Sequence, residues 1–107
     1  MKIKEQNDEN LEFQSQYIWR IPADQEILWR HWEGDYVIFN SLSGETHILD
    51  IVSGKVLKRI MNGPSTTEDI RSEIGDFLEV RNDSELARAV DKILNGLEDT
   101  GLVEAVI

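Results

Sequence analysis

The sequence predicts an α+β fold in which a three-stranded antiparallel sheet precedes three helices. Two observations predict it. Up to Leu49 the apolar residues lie in short aromatic and β-branched segments with the two-residue period of strands, and from Asp50 they recur with the 3.6-residue period of a helix. A chain of 107 residues has room for one domain with one hydrophobic core.

The first 16 residues are polar, with six charged groups and few bulky apolar side chains. We therefore expect a flexible arm over 1–16 and a folded domain over 17–107. The segment 17–22 contains three large apolar residues and ends at Pro22, which keeps Ile21 out of helical geometry. We expect it to lie extended along the domain.

Two aromatic and β-branched segments, 27–32 and 36–40, are joined by a tight turn at 33–35 and predict a hairpin. A second turn at 41–44 leads to a short third strand, 45–49, whose brevity and polar start suit a sheet edge. Strand alternation places Trp29 and Trp32 on opposite faces, so one is expected in the core and the other accessible.

Three helices follow, each with its own start signal. Asp50 can cap the first, which ends at 62–64; Ser65 and Glu68 have capping-box spacing for the second; and 82–84 opens a third that ends at 100–101. We expect Ile70, Ile74, Phe77 and Leu78 to form the buried stripe of the second helix. Residues 102–106 can form a short terminal strand. The order βββααα is that of a winged helix-turn-helix-like domain.

The net charge of −10 argues against nucleic-acid binding, which depends on Lys and Arg displacing counterions. No apolar segment approaches the length that spans a bilayer, and residues 1–6 do not resemble a secretory signal. The absence of cysteine excludes disulfides and thiolate metal sites. We expect a cytoplasmic protein without membrane contact.

Catalytic and metal-binding patterns are not found. The two histidines, His31 and His47, fall in predicted strands without zinc-site spacing, and no serine lies in a nucleophile elbow. His47 and Asp50 are close enough in sequence to share a hydrogen bond, but a strand histidine beside a helix cap is the simpler interpretation. No glycine-rich phosphate loop is present. We expect no enzymatic activity, no metal and no cofactor.

The short third strand precedes a strongly apolar third helix, so unpaired backbone groups are expected beside an apolar groove. A guest peptide can add to such an edge as a further strand, with main-chain hydrogen bonds giving affinity and side-chain pockets giving selectivity.

The run 29–40, followed by Ser43-Gly44-Glu45-Thr46-His47-Ile48-Leu49, resembles the PqqD-like peptide chaperones, the leader-peptide recognition elements of ribosomal peptide modification. It is most similar to the branch named the HPr-rel-A system, which occurs beside a kinase-like protein related to HPr kinase. The similarity covers about residues 17–100.

This resemblance implies a winged-helix domain that recognises a precursor or leader peptide and presents it to a modifying enzyme, with an HPr kinase-related protein as a candidate partner. It places the peptide along the third strand and against exposed positions of the third helix. The strand residues are Glu45, Thr46, His47, Ile48 and Leu49. For the helix we select Leu86, Arg88, Ala89, Lys92 and Ile93. The spacing of Arg88 and Lys92 suggests attraction to an acidic leader.

Two other functions stay open at this point. A homodimeric scaffold could use the same strand edge for self-pairing, and light scattering with and without peptide would distinguish it. A winged-helix DNA-binding regulator is disfavoured because Arg88 and Lys92 on the third helix are balanced by Glu85, Asp91 and Glu98.

Overall fold

A computed structural model describes residues 17–106, which form six strands and three helices. The strands are β1 (Ile18–Arg20), β2 (Ile27–Trp32), β3 (Asp35–Asn40), β4 (Glu45–Leu49), β5 (Ser65–Thr66) and β6 (Glu104–Val106). The helices are α1 (Ile51–Met61), α2 (Thr67–Leu78) and α3 (Ser84–Asp99). The predicted α+β order is confirmed, and the predicted arm 1–16 lies outside the described residues.

Strands β2, β3 and β4 form an antiparallel meander in that order. The β2–β3 turn has two residues, Glu33 with φ of 48° and Gly34 with φ of 89°. Positive φ at both central positions is the type I′ geometry that matches strand twist. The β3–β4 turn is organised by Asn40, whose side-chain oxygen accepts hydrogen bonds from the backbone N–H groups of Leu42 and Ser43. These turns fix the register of the meander.

A second, smaller sheet has the order β5–β1–β6. Its centre is β1, and Ile18 pairs with both Thr66 and Val106. Trp19 is 1% exposed, and its indole N–H donates a hydrogen bond of 2.7 Å to the hydroxyl of Thr67 at the start of α2. This sheet therefore ties both ends of the domain to the helices.

The helix boundaries follow local capping. The carboxylate of Asp50 accepts the N–H of Ser53 at 2.7 Å, and that of Asp83 accepts the N–H of Leu86 at 3.2 Å. At α2 the predicted Ser65–Glu68 pair is wrong by one residue. Thr66 is the cap, because its hydroxyl accepts the N–H of Asp69 at 3.1 Å, while Ser65 is held in β5.

The core lies between the helices and the inner faces of the two sheets. Its fully buried members include Trp19, Ile38, Leu57, Ile70, Val90 and Leu94. The predicted stripe of α2 is partly wrong: Ile70 and Ile74 are buried, but Phe77 and Leu78 are exposed because the helix ends beyond its contact with the core. No helix within the described residues is long and apolar enough to cross a membrane.

Candidate functional site

Strand β4 is an edge strand of the meander, since among the described residues it pairs with β3 alone. The two-residue turn makes Trp32 and Asp35 a hydrogen-bonded pair, and bonding direction alternates along each strand. Val37 and Phe39 therefore direct their N–H and C=O groups toward β2. Their partners on β4 are Ile48 and Thr46, whose N–H and C=O groups consequently point away from the sheet. The edge thus offers backbone donors and acceptors at alternate residues.

A groove of about 650 Å³ runs between this edge and helix α3. The β4 side is formed by Thr46–Leu49, and Asp50 and Ser53 continue it into α1. The helix side and the far end are formed by Lys92, Ile93, Gly96, Leu97, Thr100 and Leu102. The groove is therefore bounded by an open strand on one side and a helix face on the other.

The groove is apolar inside and polar at the rim. Leu97 and Leu102 are buried and Leu49 and Ile93 are half-buried, so they supply apolar surface, whereas Lys92 is exposed. Gly96 has no side chain, and a Cβ added there would meet no atom within 4 Å. This missing side chain leaves the helix backbone open to close approach by a bound chain.

The structure brings six of the ten predicted site residues together in the groove. They are Thr46, His47, Ile48 and Leu49 on the strand, and Lys92 and Ile93 on the helix. Glu45 begins β4 but does not line the groove, and Arg88 and Ala89 are exposed on α3 outside it.

The selection of Leu86 as an exposed position is wrong. Leu86 is 6% exposed and faces α2, where a Cβ added to Gly75 would lie 3.0 Å from its Cδ2. Its apolar side chain belongs to the α2–α3 contact, so it offers nothing to a guest.

Several groove residues were not predicted from sequence, above all Gly96, Leu97 and Thr100. They continue the rows Lys92–Gly96–Thr100 and Ile93–Leu97, in which successive members are four residues apart and share one helix face. The signal for them was an isolated glycine inside an apolar helical pattern, which often marks a close backbone approach.

The groove wall includes His47 and Asp50, the pair that is close in sequence. Asp50 caps α1 through Ser53, and His47 lies in β4, as the simpler interpretation of this pair expected. Among residues 17–106, no three His, Asp or Glu side chains are grouped so that they could hold a metal ion. What the site provides is backbone hydrogen bonding beside apolar surface.

Comparison with solved structures finds a fold match to TbiB1 in complex with the TbiA(beta) leader peptide. The TM-score is 0.65 with 20% sequence identity, over 79% of this chain and 94% of that chain. This similarity shows that the two chains share a fold. No protein-family model and no curated protein matches the sequence.

Proposed function

We propose that this protein is a non-catalytic peptide-binding adaptor, which holds a precursor or leader peptide on the edge of β4 for a modifying enzyme. The observation that carries the proposal is the open β4 edge beside the apolar groove. Such an edge binds an extended chain through main-chain hydrogen bonds, with alternate side chains of the guest entering pockets.

The guest strand would pair with the outward backbone groups of Thr46 and Ile48. Its alternate side chains would then enter the groove between His47 and Leu49 on one side and Ile93 on the other. The remaining side chains would continue the outer face of the sheet. Lys92 at the rim supplies a positive charge to an acidic residue of the guest.

Two similarities support this proposal. The TbiB1 structure, which shares the fold, holds a leader peptide, and the resemblance of 29–49 to the PqqD-like chaperones implies the same class of ligand. The assignment to the HPr-rel-A branch and the HPr kinase-related protein as modifying partner are parts of the proposal that depend on the second similarity.

Replacement of Ile48 by proline tests the edge. Proline removes the outward N–H while leaving the ladder to β3 intact, as is tolerated on the free side of an edge strand. We expect I48P to weaken binding of a fluorescein-labelled peptide, selected from a random-sequence library for binding to the unchanged protein, about tenfold, since a lost hydrogen bond costs roughly 1–1.5 kcal/mol. Fluorescence polarisation measures it.

The matched control is I48A, which keeps the N–H and removes the side chain from the outer face. We expect this variant to bind the peptide within about threefold of the unchanged protein, a difference of under roughly 0.7 kcal/mol. If I48P folds, judged by circular dichroism, and binds with unchanged affinity, the guest does not pair with β4.

Gly96 gives an independent test of the groove. G96L would add an apolar side chain to the groove wall next to Ile93, and its Cβ would meet no neighbouring atom within 4 Å. We expect G96L to abolish binding of the same peptide and G96A to retain it. Equal affinities for the two variants would place the guest elsewhere.

A further inference from the structure

The outer face of the β2–β3–β4 meander carries large apolar side chains that α1–α3 do not cover. Their exposed fractions are 55% for Leu28, 59% for Trp32, 39% for Phe39 and 73% for Ile48. Val37, at the centre of the face, is half-buried. These five residues, here called the outer patch, surround two shallow hollows of about 350 and 440 Å³.

The outer patch is large enough to act as an interface. Together the exposed parts of these side chains amount to on the order of 500 Å² of apolar surface, at the upper end of what monomeric proteins leave uncovered. Two such patches packed together would bury about 1,000 Å², the lower bound for a specific protein interface. A weak association between two copies therefore fits this size.

Two opposite charges lie within the patch. Arg30 pairs across the strands with Val37, and Trp32 pairs with Asp35, so Arg30 and Asp35 are diagonal neighbours on the same face. Among the described residues Arg30 makes no ion pair. Glu33, in the adjoining turn, adds a second carboxylate at the rim.

We propose that the outer patch binds a second copy of this chain, face to face, about a two-fold axis that passes between Arg30 and Asp35. This axis places each guanidinium over the carboxylate of the other copy, so the surface is complementary to itself. The two Trp32 rings then meet near the axis, and tryptophan and arginine at the centre of an apolar patch are typical of interface hot spots. The repulsion between two copies of charge −10 is screened beyond about 8 Å at physiological salt.

This association differs from self-pairing through the strand edge. Packing on the sheet face leaves both β4 edges open, so a dimer of this kind can bind two guest peptides. The proposal depends on the outer patch and not on the peptide-binding function.

Charge exchange tests the proposal with the protein itself. Sedimentation equilibrium of the full chain, from micromolar to millimolar concentration, should show a monomer–dimer equilibrium. R30E places two carboxylates against each other at both symmetry-related contacts, and D35R does the same with two cations. We expect each variant alone to dimerise about tenfold more weakly, because two ion-pair contacts become repulsive.

Mixing the two variants is the decisive measurement. In a mixed dimer the carboxylate introduced by R30E faces the guanidinium introduced by D35R. At the other contact the unchanged Asp35 of the first copy faces the unchanged Arg30 of the second, so both contacts are attractive again. We expect the mixture and the R30E/D35R double variant to associate as the unchanged protein does. The proposal is overturned if the mixture associates no more strongly than R30E or D35R alone. It is also overturned if the unchanged protein stays monomeric at every concentration.

Trp32 supplies a second readout. Its exposed ring should become shielded from iodide quenching as concentration rises in the unchanged protein and in the mixture, but not in R30E alone. Addition of a guest peptide should leave the dimerisation constant unchanged. Competition between the peptide and dimerisation would assign self-association to the β4 edge and overturn the face-to-face arrangement.

Discussion

At the scale of single residues, one glycine of helix α1 has no room for a side chain, because the sheet lies directly against it. A Cβ built on Gly54 would lie 1.9 Å from Cδ2 of Tyr36. The Tyr36 ring in turn stacks on Trp29, with ring centroids 4.9 Å apart, and on His31 at 5.0 Å. Gly54 therefore lets α1 approach the inner face of the meander closely enough to pack against the Tyr36 ring.

We expect G54A to destabilise the protein by about 1–3 kcal/mol, since overpacking displaces the Tyr36 ring and its neighbours. G96A is the matched control, because both glycines lie inside helices but only Gly54 has a neighbour in the way. Alanine is a better helix former than glycine, so G96A should raise the free energy of unfolding by up to about 1 kcal/mol. Urea unfolding measures the stability of both variants. A higher free energy of unfolding for G54A as well as for G96A would contradict the close packing of Gly54 against Tyr36.

Local chemistry made some residues predictable from sequence. Asp50 was identified as a helix cap because a carboxylate reaches N–H groups only a few residues ahead, whatever the tertiary fold. The opposite faces of Trp29 and Trp32 followed from strand alternation, and the structure confirms that the first packs against the core while the second is exposed. The sequence does not indicate the role of Gly54, because nothing in a helical pattern shows which sheet residue lies opposite.

At the scale of elements, α2 and α3 are joined by a largely buried ion pair. A terminal nitrogen of Arg71 donates to both carboxylate oxygens of Asp91, at 2.9 and 3.0 Å. Only 12% and 19% of the two side chains are exposed. The Nε of Arg71 is buried without a hydrogen-bond partner, so the guanidinium depends on Asp91 for compensation.

We expect D91N to destabilise the domain by about 2–3 kcal/mol, because it leaves a poorly solvated cation without its counter-charge. E104Q breaks the exposed pair between Arg20 and Glu104 and should cost less than about 1 kcal/mol. The midpoints of urea unfolding at neutral pH compare the two amide substitutions. Equal losses would mean that the Arg71–Asp91 pair is as solvated as the surface pair.

The position of α3 against β4 shows what periodicity leaves undetermined. The spacing of residues predicts its apolar face, and the selected Lys92 and Ile93 line the groove, whereas the selected Arg88 and Ala89, about one turn nearer the start of the helix, do not. The position of a helix along a sheet is set by its contacts with other elements, and the period of its apolar residues does not show those contacts. The strands β1, β5 and β6 join distant segments through two or three residues each, which is too short for a pattern that would predict their pairing.

At the scale of the whole molecule, the net charge argues against the DNA binding that is common among winged helices. Arg71, the one cation of α2, is held by Asp91, and the net charge is −10. We expect no shift of a random DNA duplex in a gel assay at low salt, because a positive surface is required for binding to phosphates. A salt-sensitive shift would contradict this expectation.

If β4 holds a peptide as proposed, its brevity limits how much of the bound sequence the protein can distinguish. Five residues span about 17 Å, so a partner strand presents only two or three side chains to the groove at alternate positions. Unrelated peptides that carry two or three suitably spaced apolar residues would bind this edge with similar affinity. Under the proposed function, finer discrimination would then arise outside this edge, either from flanking contacts or from the proposed modifying enzyme.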